Sequence, residues 1–506
     1  MVDTAAASPV TPASRNETLA RRAFFGSLAL GGANFARLAL QAAIIPILAR
    51  ILGPAAVGIL ALAMPFVLLA NLLADAGMGA ALVRQADPPP ALETTVFWLS
   101  SAIGAALALL LCLIAAPAAS LLGQPALTSV LMALSPILIL SSSLAPANAR
   151  ISRARRFHLY AIGDLLSVVL SAGAAILAAV AGLGAWSLVI QQLTLWSVKC
   201  LWILPASGFR PSLDIRPSLA RPLLGFGLNN VGANIADFAG KSAAALVVGA
   251  ALGVVATGQY ALAYQLVRIP ELVISGPLML ATFTAVSALA SEGTDPAAAI
   301  TRTLRLTLAV LAPLFCGLAL TGDLIVDVFL GPAWRGAGPA LMALAPAGVF
   351  LCLYSLIGAA LMGLGRSDLQ FRLALACGLA MLAGAGIGAR FGLTGAAIGV
   401  TLAAAAPAPV YLTTLAARLG PPRSLIAGLG APIAATLVMA GAVALARDWL
   451  RPVSPAPQLV AAVALGMAVY AVVLGLIARR QIGADLRGLA PSLRASPNQV
   501  VAWNEA

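Results

Sequence analysis

Apolar segments of about twenty residues alternate with short polar breaks along almost the whole chain. An α-helix of about 20 apolar residues crosses the hydrocarbon core of a bilayer, so each segment predicts one membrane-spanning helix. The pattern predicts about fourteen such helices and an all-α polytopic membrane protein. They cover residues 25–49, 55–80, 93–115, 127–148, 159–181, 185–205, 223–250, 256–288, 303–322, 338–363, 371–389, 393–416, 425–445 and 457–478.

The composition excludes a water-soluble globular protein. Of the 506 residues, 61% are hydrophobic and only 9% are charged, whereas soluble domains carry about 25% charged residues. The five cysteines lie in or beside apolar segments without the spacing of metal ligands, so we interpret them as small buried hydrophobic residues. We expect no metal and no cofactor.

The basic residues predict the orientation of the helices. Of the 30 lysines and arginines, 21 fall on one side of the predicted helices and five on the other. Because positive charge marks cytoplasmic loops, both termini are expected in the cytoplasm of a multi-pass inner-membrane protein. Residues 1–22 would be a disordered cytoplasmic tail and residues 481–506 a second tail. The net charge of +13 is spread over short loops rather than gathered in one patch, which argues against nucleic acid as a partner.

The chain contains an internal repeat. The segment Leu52–Ala63 (LGPAAVGILALA) recurs as Leu252–Ala263 (LGVVATGQYALA), each at the turn between the first two helices of a six-helix block. Two more pairs follow in the same order: Leu134-Ser135-Pro136 with Leu344-Ala345-Pro346, and Gly182-Leu183-Gly184-Ala185 with Gly392-Leu393-Thr394-Gly395-Ala396.

The repeat predicts two pseudo-symmetric six-helix lobes, residues 23–210 and 211–420. Because each block has an even number of helices, the lobes would be related by an axis along the membrane normal, with a substrate site between them. Residues 421–480 add two C-terminal helices outside the repeat.

Arg37 is the most informative ionisable residue at membrane depth. It lies in the middle of the first predicted helix, and Asn34 and Gln41 share its helical face. A charge at a helix centre costs about 2.5–3.5 kcal/mol on insertion, so such a residue usually faces a cavity or a partner. Since no acidic neighbour follows on its own helix, we expect Arg37 to line a cavity and bind substrate with Asn34 and Gln41.

The second lobe has polar residues at corresponding depth. Lys241 shares a face of helix 7 with Asn234 and Asp237, and Arg268 lies in helix 8 with Glu271 three residues on. Lys241, Arg268 and Asn234 could bind substrate; equally, Asp237–Lys241 and Arg268–Glu271 could be internal ion pairs.

Two carboxylates are candidates for ion coupling. Asp75 ends helix 2, where capping or a salt bridge to Arg84 is an equal alternative, and Asp237 lies beside Lys241.

The segment Leu48–Gly58 (LARILGPAAVG) and the following Ala74–Gly77 (ADAG) resemble the start of Wzx-type polysaccharide flippases of the MOP exporter superfamily. Arg156-Phe157 and Gly365-Arg366 also fit that family. The resemblance covers most of residues 20–420. It implies twelve core helices around a cavity plus two extra helices. It also implies movement of undecaprenyl-pyrophosphate-linked oligosaccharide across the inner membrane, for surface polysaccharide or lipopolysaccharide, by alternating access.

Two other functions were weighed. A cation-coupled multidrug exporter of the same superfamily would place carboxylates in its cavity, whereas Arg37 favours an anion. A membrane glycan polymerase or acyltransferase would need a large periplasmic loop or a membrane-embedded histidine, and the sequence has neither. The chain is thus expected not to be an enzyme. Its expected partners are the lipid-linked oligosaccharide, membrane lipids, and a polysaccharide polymerase with export machinery.

Overall fold

A computed structural model of the chain describes the backbone of residues 12–75, 78–83, 85, 87–419 and 422–494. The side chains it describes are those of residues 37, 39–74, 78, 79, 82, 83, 85, 87–216, 244–276, 278–411, 413, 414 and 429–478. Helices and the turns between them make up this part of the chain.

Sixteen α-helices form the described part, with one π-helical and one 3-10 turn after α10. Their bounds are α1 Pro12–Asp75, α2 Met78–Val83, α3 Pro90–Leu121, α4 Ala126–Leu134, α5 Pro136–Ser143, α6 Ala145–Arg153, α7 Phe157–Val180, α8 Trp186–Ala206, α9 Pro217–Ser291, α10 Ala297–Ile325, α11 Ala337–Gly363, α12 Ser367–Ala389, α13 Gly392–Ala405, α14 Ala408–Leu419, α15 Pro422–Leu450 and α16 Pro455–Arg494. The π turn covers Val326–Leu330 and the 3-10 turn Pro332–Trp334.

The two longest helices, α1 and α9, are each broken at a glycine. Gly53 has φ 71° and ψ 172°, and Gly253 has φ 83° and ψ −178°. These positive φ values favour glycine, because a side chain there would meet the backbone. The two breaks occupy equivalent positions of the repeat and coincide with the turns predicted between helices 1 and 2 and between helices 7 and 8.

Within the described residues, twelve helical stretches are long and apolar enough to cross a bilayer. Two of them, Ala39–Ala74 and Ala244–Ser291, contain the glycine breaks. The all-α, multi-pass membrane fold is therefore confirmed. The number of fourteen crossings stays a prediction. The sequence predicts two helices within each of these two stretches, which accounts for the difference between fourteen and twelve.

The structure differs from the predicted boundaries in three places. Helix α1 begins at Pro12 and α16 continues to Arg494, so part of each predicted tail is helical. Extending an existing helix adds one hydrogen bond per residue and does not require the unfavourable first turn of a new helix.

The predicted helix 127–148 is divided into α4, α5 and α6, because the backbone nitrogens of Pro136 and Pro146 cannot donate a helical hydrogen bond. Residues 1–11 and 495–506 lie outside the described residues.

The two repeat-related turns pack directly against each other. A Cβ at Gly58 would collide with the carbonyl oxygen of Val254, and a Cβ at Gly258 would collide with that of Pro54. Gly58 and Gly258 are 200 residues apart, and so are their partners Pro54 and Val254. The two contacts are therefore equivalent, as a two-fold axis relating the two turns requires. The glycines let α1 and α9 approach at backbone distance.

The same end of the molecule is closed by contacts to the segment after α10. Trp334 is fully buried, and its Nε1 donates a hydrogen bond of 2.9 Å to the carbonyl oxygen of Ala49. The Arg50 guanidinium donates to the carbonyl oxygen of Val328 at 3.0 Å. In the predicted orientation this closed end faces the periplasm.

Candidate functional site

Three ionisable side chains meet inside the first half of the chain. Asp164 on α7 lies 3.1 Å from Arg37 on α1 (Oδ2 to Nε) and 2.5 Å from Lys199 on α8 (Oδ1 to Nζ). The exposed fractions of the side chains are 16% for Asp164, 29% for Arg37 and 15% for Lys199. Arg37 therefore has an acidic partner, which comes from another helix and not from its own. That Arg37 lines a cavity and binds substrate stays a prediction. We call Asp164, Arg37 and Lys199 the charge triad.

The α7–α8 hairpin positions two members of the triad. Asp164 is seven residues after the start of α7, and Lys199 is seven residues before the end of α8. In an antiparallel hairpin these positions are level, about 10 Å from the helix ends at 1.5 Å per residue. The Lys199 ammonium also lies 5.4 Å from the centre of the Trp196 ring, within cation–π range.

The triad carries a net charge of +1 when all three groups are ionised. One carboxylate accepts from two cations, one on each neighbouring helix. The arrangement can accept a second anion with little rearrangement, because the cations are already held in position.

A polar cavity of about 190 Å³, here called the inner pocket, adjoins the triad. Helices α1, α5, α6, α7 and α8 form its walls. Its polar lining consists of Asn71, Ser141, Ser142, Asn148, Tyr160, Trp196 and Lys199. Lys199 therefore belongs to both the triad and the inner pocket.

A second cavity, of about 240 Å³, lies between α1, α7 and α8 on one side and α9 on the other. We call it the glutamine cavity because four carboxamides line it: Gln41, Gln191, Gln192 and Gln265. Carboxamides both donate and accept hydrogen bonds, which suits a ligand with many hydroxyl groups.

The structure relates three of the predicted site residues to these features. Arg37 is in the triad, and Gln41 lines the glutamine cavity. Arg268 is half-buried on α9, three residues after Gln265 and thus on the same helical face. Among the described side chains, Arg268 and Glu271 are not within ion-pair distance of each other, so that predicted pair does not form.

The remaining predicted residues cannot be placed. The side chains of Asn34, Asp75, Asn234, Asp237 and Lys241 lie outside the described residues. Their roles stay predictions, as does the salt bridge between Asp75 and Arg84.

Sequence reasoning missed Asp164, Lys199 and three of the four glutamines. A signal was present for the first two. The midpoint between residues 164 and 199 falls at residues 181–182, in the turn between α7 and α8. Opposite charges equidistant from a hairpin turn lie at the same level, and this made the pair a candidate.

A second ionic cluster joins Glu93 on α3 to two arginines on α6. Glu93 is 3% exposed and accepts from Arg150, at 2.5 Å, and from Arg153. Arg150 also donates to the carbonyl oxygen of Gly208 at 2.9 Å, which holds the connection between α8 and α9. Like the charge triad, the cluster pairs one carboxylate with two cations, and the Nη1 atom of Arg153 is buried without a hydrogen-bond partner among the described residues. Its contact with Gly208 makes it an anchor for the connection.

Known proteins resemble the chain in sequence and in fold. The profile of the polysaccharide biosynthesis protein family matches residues 47–339. The succinoglycan biosynthesis transport protein ExoT of Rhizobium meliloti is 28% identical over 366 residues, 72% of this chain and 73% of that protein.

Two solved structures show the shared fold. The lipid II flippase MurJ in its inward closed conformation aligns with a TM-score of 0.71 and 14% identity, over 90% of this chain and 100% of that one. An inward-facing multidrug resistance MATE family transporter of the MOP superfamily aligns with a TM-score of 0.54 and 19% identity, over 75% and 95%.

The resemblance read from the Leu48–Gly58 segment is thereby confirmed. The family match covers more than half of the chain, and the chain belongs to the polysaccharide biosynthesis protein family.

Proposed function

We propose that this protein flips or exports a lipid-linked oligosaccharide across the bacterial inner membrane for the assembly of a surface polysaccharide. The family, the transport protein named among its relatives and the fold shared with a lipid II flippase support this function. The protein would act as a transporter rather than an enzyme. A polysaccharide polymerase and export machinery would take up its product.

The observation that carries the proposal is the net-positive charge triad next to a cavity lined with carboxamides. A glycan linked to a lipid through pyrophosphate is an anion with many hydroxyl groups. Moving it through a low-dielectric core requires cations and hydrogen-bond partners that replace water. The triad supplies the cations, and the glutamine cavity supplies the hydrogen bonds.

We assign the roles accordingly. Arg37 and Lys199 bind the pyrophosphate, and Asp164 is the counterion that holds both cations in place before substrate arrives. Gln41 and the other glutamines bind sugar hydroxyls. Arg268, one turn along α9 from Gln265, contributes a cation from the second lobe.

The roles of the residues outside the described side chains remain part of the proposal. Lys241, Asn234 and Asn34 would complete the cavity. Asp75 and Asp237 are proposed for ion coupling.

Transport would proceed by alternating access of the two six-helix lobes, with both termini in the cytoplasm. The reciprocal contact of Gly58 and Gly258 closes the periplasmic end in the described state. Opening requires that these two backbone surfaces separate and that the hydrogen bonds from Trp334 to Ala49 and from Arg50 to Val328 break. The polyprenyl tail would stay in lipid while the headgroup crosses.

The alternative is a cation-coupled multidrug exporter, which the fold shared with a MATE transporter supports. A cationic drug would need a carboxylate with unused acceptor capacity at membrane depth. Asp164 instead lies between two cations, which favours an anionic substrate.

Deletion of the gene tests the proposal in cells. We expect surface polysaccharide to disappear and its lipid-linked precursor to accumulate in the cytoplasmic leaflet, and the wild-type gene to reverse both. Arg37→Ala should restore little, whereas the exposed control Arg335→Ala should restore fully. Normal polysaccharide in a deletion strain without another family member would overturn the proposal, and increased drug sensitivity alone would support the alternative.

A further inference from the structure

The turn between α6 and α7 and the turn between α11 and α12 have the same backbone structure in the two halves of the chain. Their residues differ by 210 in number, as in two of the repeated sequence pairs. In both turns the preceding helix ends with two backbone hydrogen bonds, spanning five and three residues: Arg156 to Ile151 and Arg155 to Ser152 in the first, and Arg366 to Leu361 and Gly365 to Met362 in the second. The two turns can therefore be compared residue by residue.

Arg155 stands where this kind of turn favours glycine. Its φ is 52°, in the left-handed region, and the equivalent Gly365 has φ 74°. Glycine usually follows a helix at such a position, because a Cβ is sterically disfavoured there. Arg155 is the one residue other than glycine with positive φ in the part of the chain that the structure describes. A side chain held at an unfavourable φ indicates that the side chain itself has a use.

The side chains of this turn carry positive charge that the protein does not neutralise. Arg155, Arg156 and His158 are exposed, and across the described ranges none of the three makes a side-chain hydrogen bond or ion pair. The nearby arginines of α6 are already paired with Glu93. We call residues 155–158 the basic turn.

The equivalent turn of the second half neutralises its own arginine. Asp368 occupies the position of His158, and its Oδ1 atom lies 3.3 Å from Nε of Arg366. The preference for positive charge in cytoplasmic loops applies to both turns alike. Membrane topology alone therefore does not explain why only the first turn presents two arginines without a counterion.

The basic turn lies on the lipid-facing side of α7. His158, Ile162 and Val169 share one face of the helix, at 100° per residue, and about half of the surface of Ile162 and Val169 is exposed. Phe157, beside His158, is also exposed. Asp164 is turned about 120° away from His158 on the same helix. The basic turn is therefore directed to the bilayer surface and not to the charge triad.

We propose that the basic turn binds the phosphate headgroup of an anionic phospholipid in the cytoplasmic leaflet. Guanidinium groups bind phosphate oxygens through paired, charge-assisted hydrogen bonds, and anionic leaflets attract basic residues next to membrane spans. Arg155 and Arg156 supply the guanidinium groups, and His158 supplies a further N–H donor. The bound lipid holds the first half of the chain, but not the second, to that leaflet. The inference does not depend on the proposed function.

Native mass spectrometry of the purified, delipidated chain tests the site, with phosphatidylglycerol and phosphatidylcholine as probes. We expect phosphatidylglycerol to bind more tightly, and Arg155→Gly to weaken its binding about fivefold, the loss expected for one arginine at an anionic surface. Glycine suits the φ of 52°, so this variant keeps the fold, and its melting temperature without lipid does not fall. His158→Asp, which introduces the residue of the second turn, should weaken binding at least as much.

The matched control is Arg366→Ala in the second turn, which should keep the wild-type affinity. Equal affinity for the two lipids, or phosphatidylglycerol binding that both variants of the basic turn leave unchanged, would overturn the proposal. So would an equal loss in Arg366→Ala, because the effect would then be one of overall charge. Farnesyl pyrophosphate is the third probe: if Arg155→Gly weakens its binding but not that of phosphatidylglycerol, the turn binds a lipid pyrophosphate and the proposal is wrong.

Discussion

At the scale of single residues, the central feature is a carboxylate held between two cations. Asp164 neutralises only part of the charge of Arg37 and Lys199, so the site is attractive to anions but is not left with two unpaired charges in a low-dielectric environment. A pyrophosphate would share or replace Asp164 as the counterion of these cations. The carboxylate thus sets the affinity of the site as well as its structure.

Asp164→Asn tests this role. Without the carboxylate, the two cations repel each other, and we expect the melting temperature of the ligand-free protein to fall by several degrees. Added farnesyl pyrophosphate should then raise the melting temperature more in the variant than in wild type, because its binding replaces the missing counterion. Asp448→Asn, which breaks an exposed pair with Arg451, is the matched control. Equal shifts in variant and wild type would contradict the counterion role.

Glu93 also accepts from two cations, but it is more deeply buried than Asp164, at 3% against 16% exposed, and its cluster anchors the connection between α8 and α9. Glu93→Gln would leave two arginines without their shared buried partner, a change that typically costs about 3–5 kcal/mol. We expect a large fall in the thermal midpoint, measured by differential scanning fluorimetry in detergent. Asp368→Asn removes a carboxylate from an exposed pair with Arg366 and should change the midpoint little. A similar midpoint for both variants would show that the anchor is unimportant.

At the scale of helices, much of the arrangement could be predicted from the sequence. The breaks at Gly53 and Gly253 coincide with predicted turns because the repeated motif places a glycine there in both halves. The ion pair between Arg37 and Asp164 could not be predicted in the same way. Which residues of α1 face α7 depends on tertiary packing, and neither helix carries a periodic signal that fixes it. The Asp164–Lys199 pair was a better candidate, since a single hairpin turn places the two residues at the same level.

The reciprocal glycine contact makes a prediction about helix packing. Gly58→Ala and Gly258→Ala each place a methyl group against the backbone of the other turn, and overpacking of this kind typically costs about 1–3 kcal/mol. We expect both variants to open the periplasmic end more often, seen as a longer distance between spin labels across the two turns. Gly317→Ala is the control, because nothing lies within 4 Å of the added methyl group. Unchanged distances in both variants would mean that the contact does not hold the end closed.

At the scale of the whole molecule, the charges and the two cavities lie along one helix, α8. The triad, the inner pocket and the glutamine cavity are joined by α8, which contributes Lys199, Trp196 and Gln192 to one side of the helix. A pyrophosphate-linked glycan would thus meet cations and carboxamides along one side of a single helix.

The most direct test is a flipping assay with the purified protein in liposomes. A fluorescent polyprenyl-pyrophosphate-linked oligosaccharide is placed in both leaflets, and a membrane-impermeant reductant reports how fast the inner pool reaches the outside. The account predicts protein-dependent flipping that slows at least about tenfold in Arg37→Ala and in Lys199→Ala, since each loses charge-assisted hydrogen bonds, while Arg335→Ala flips like wild type. Flipping that is equally fast in all four proteins would contradict the account, because the charge triad would then have no part in transport.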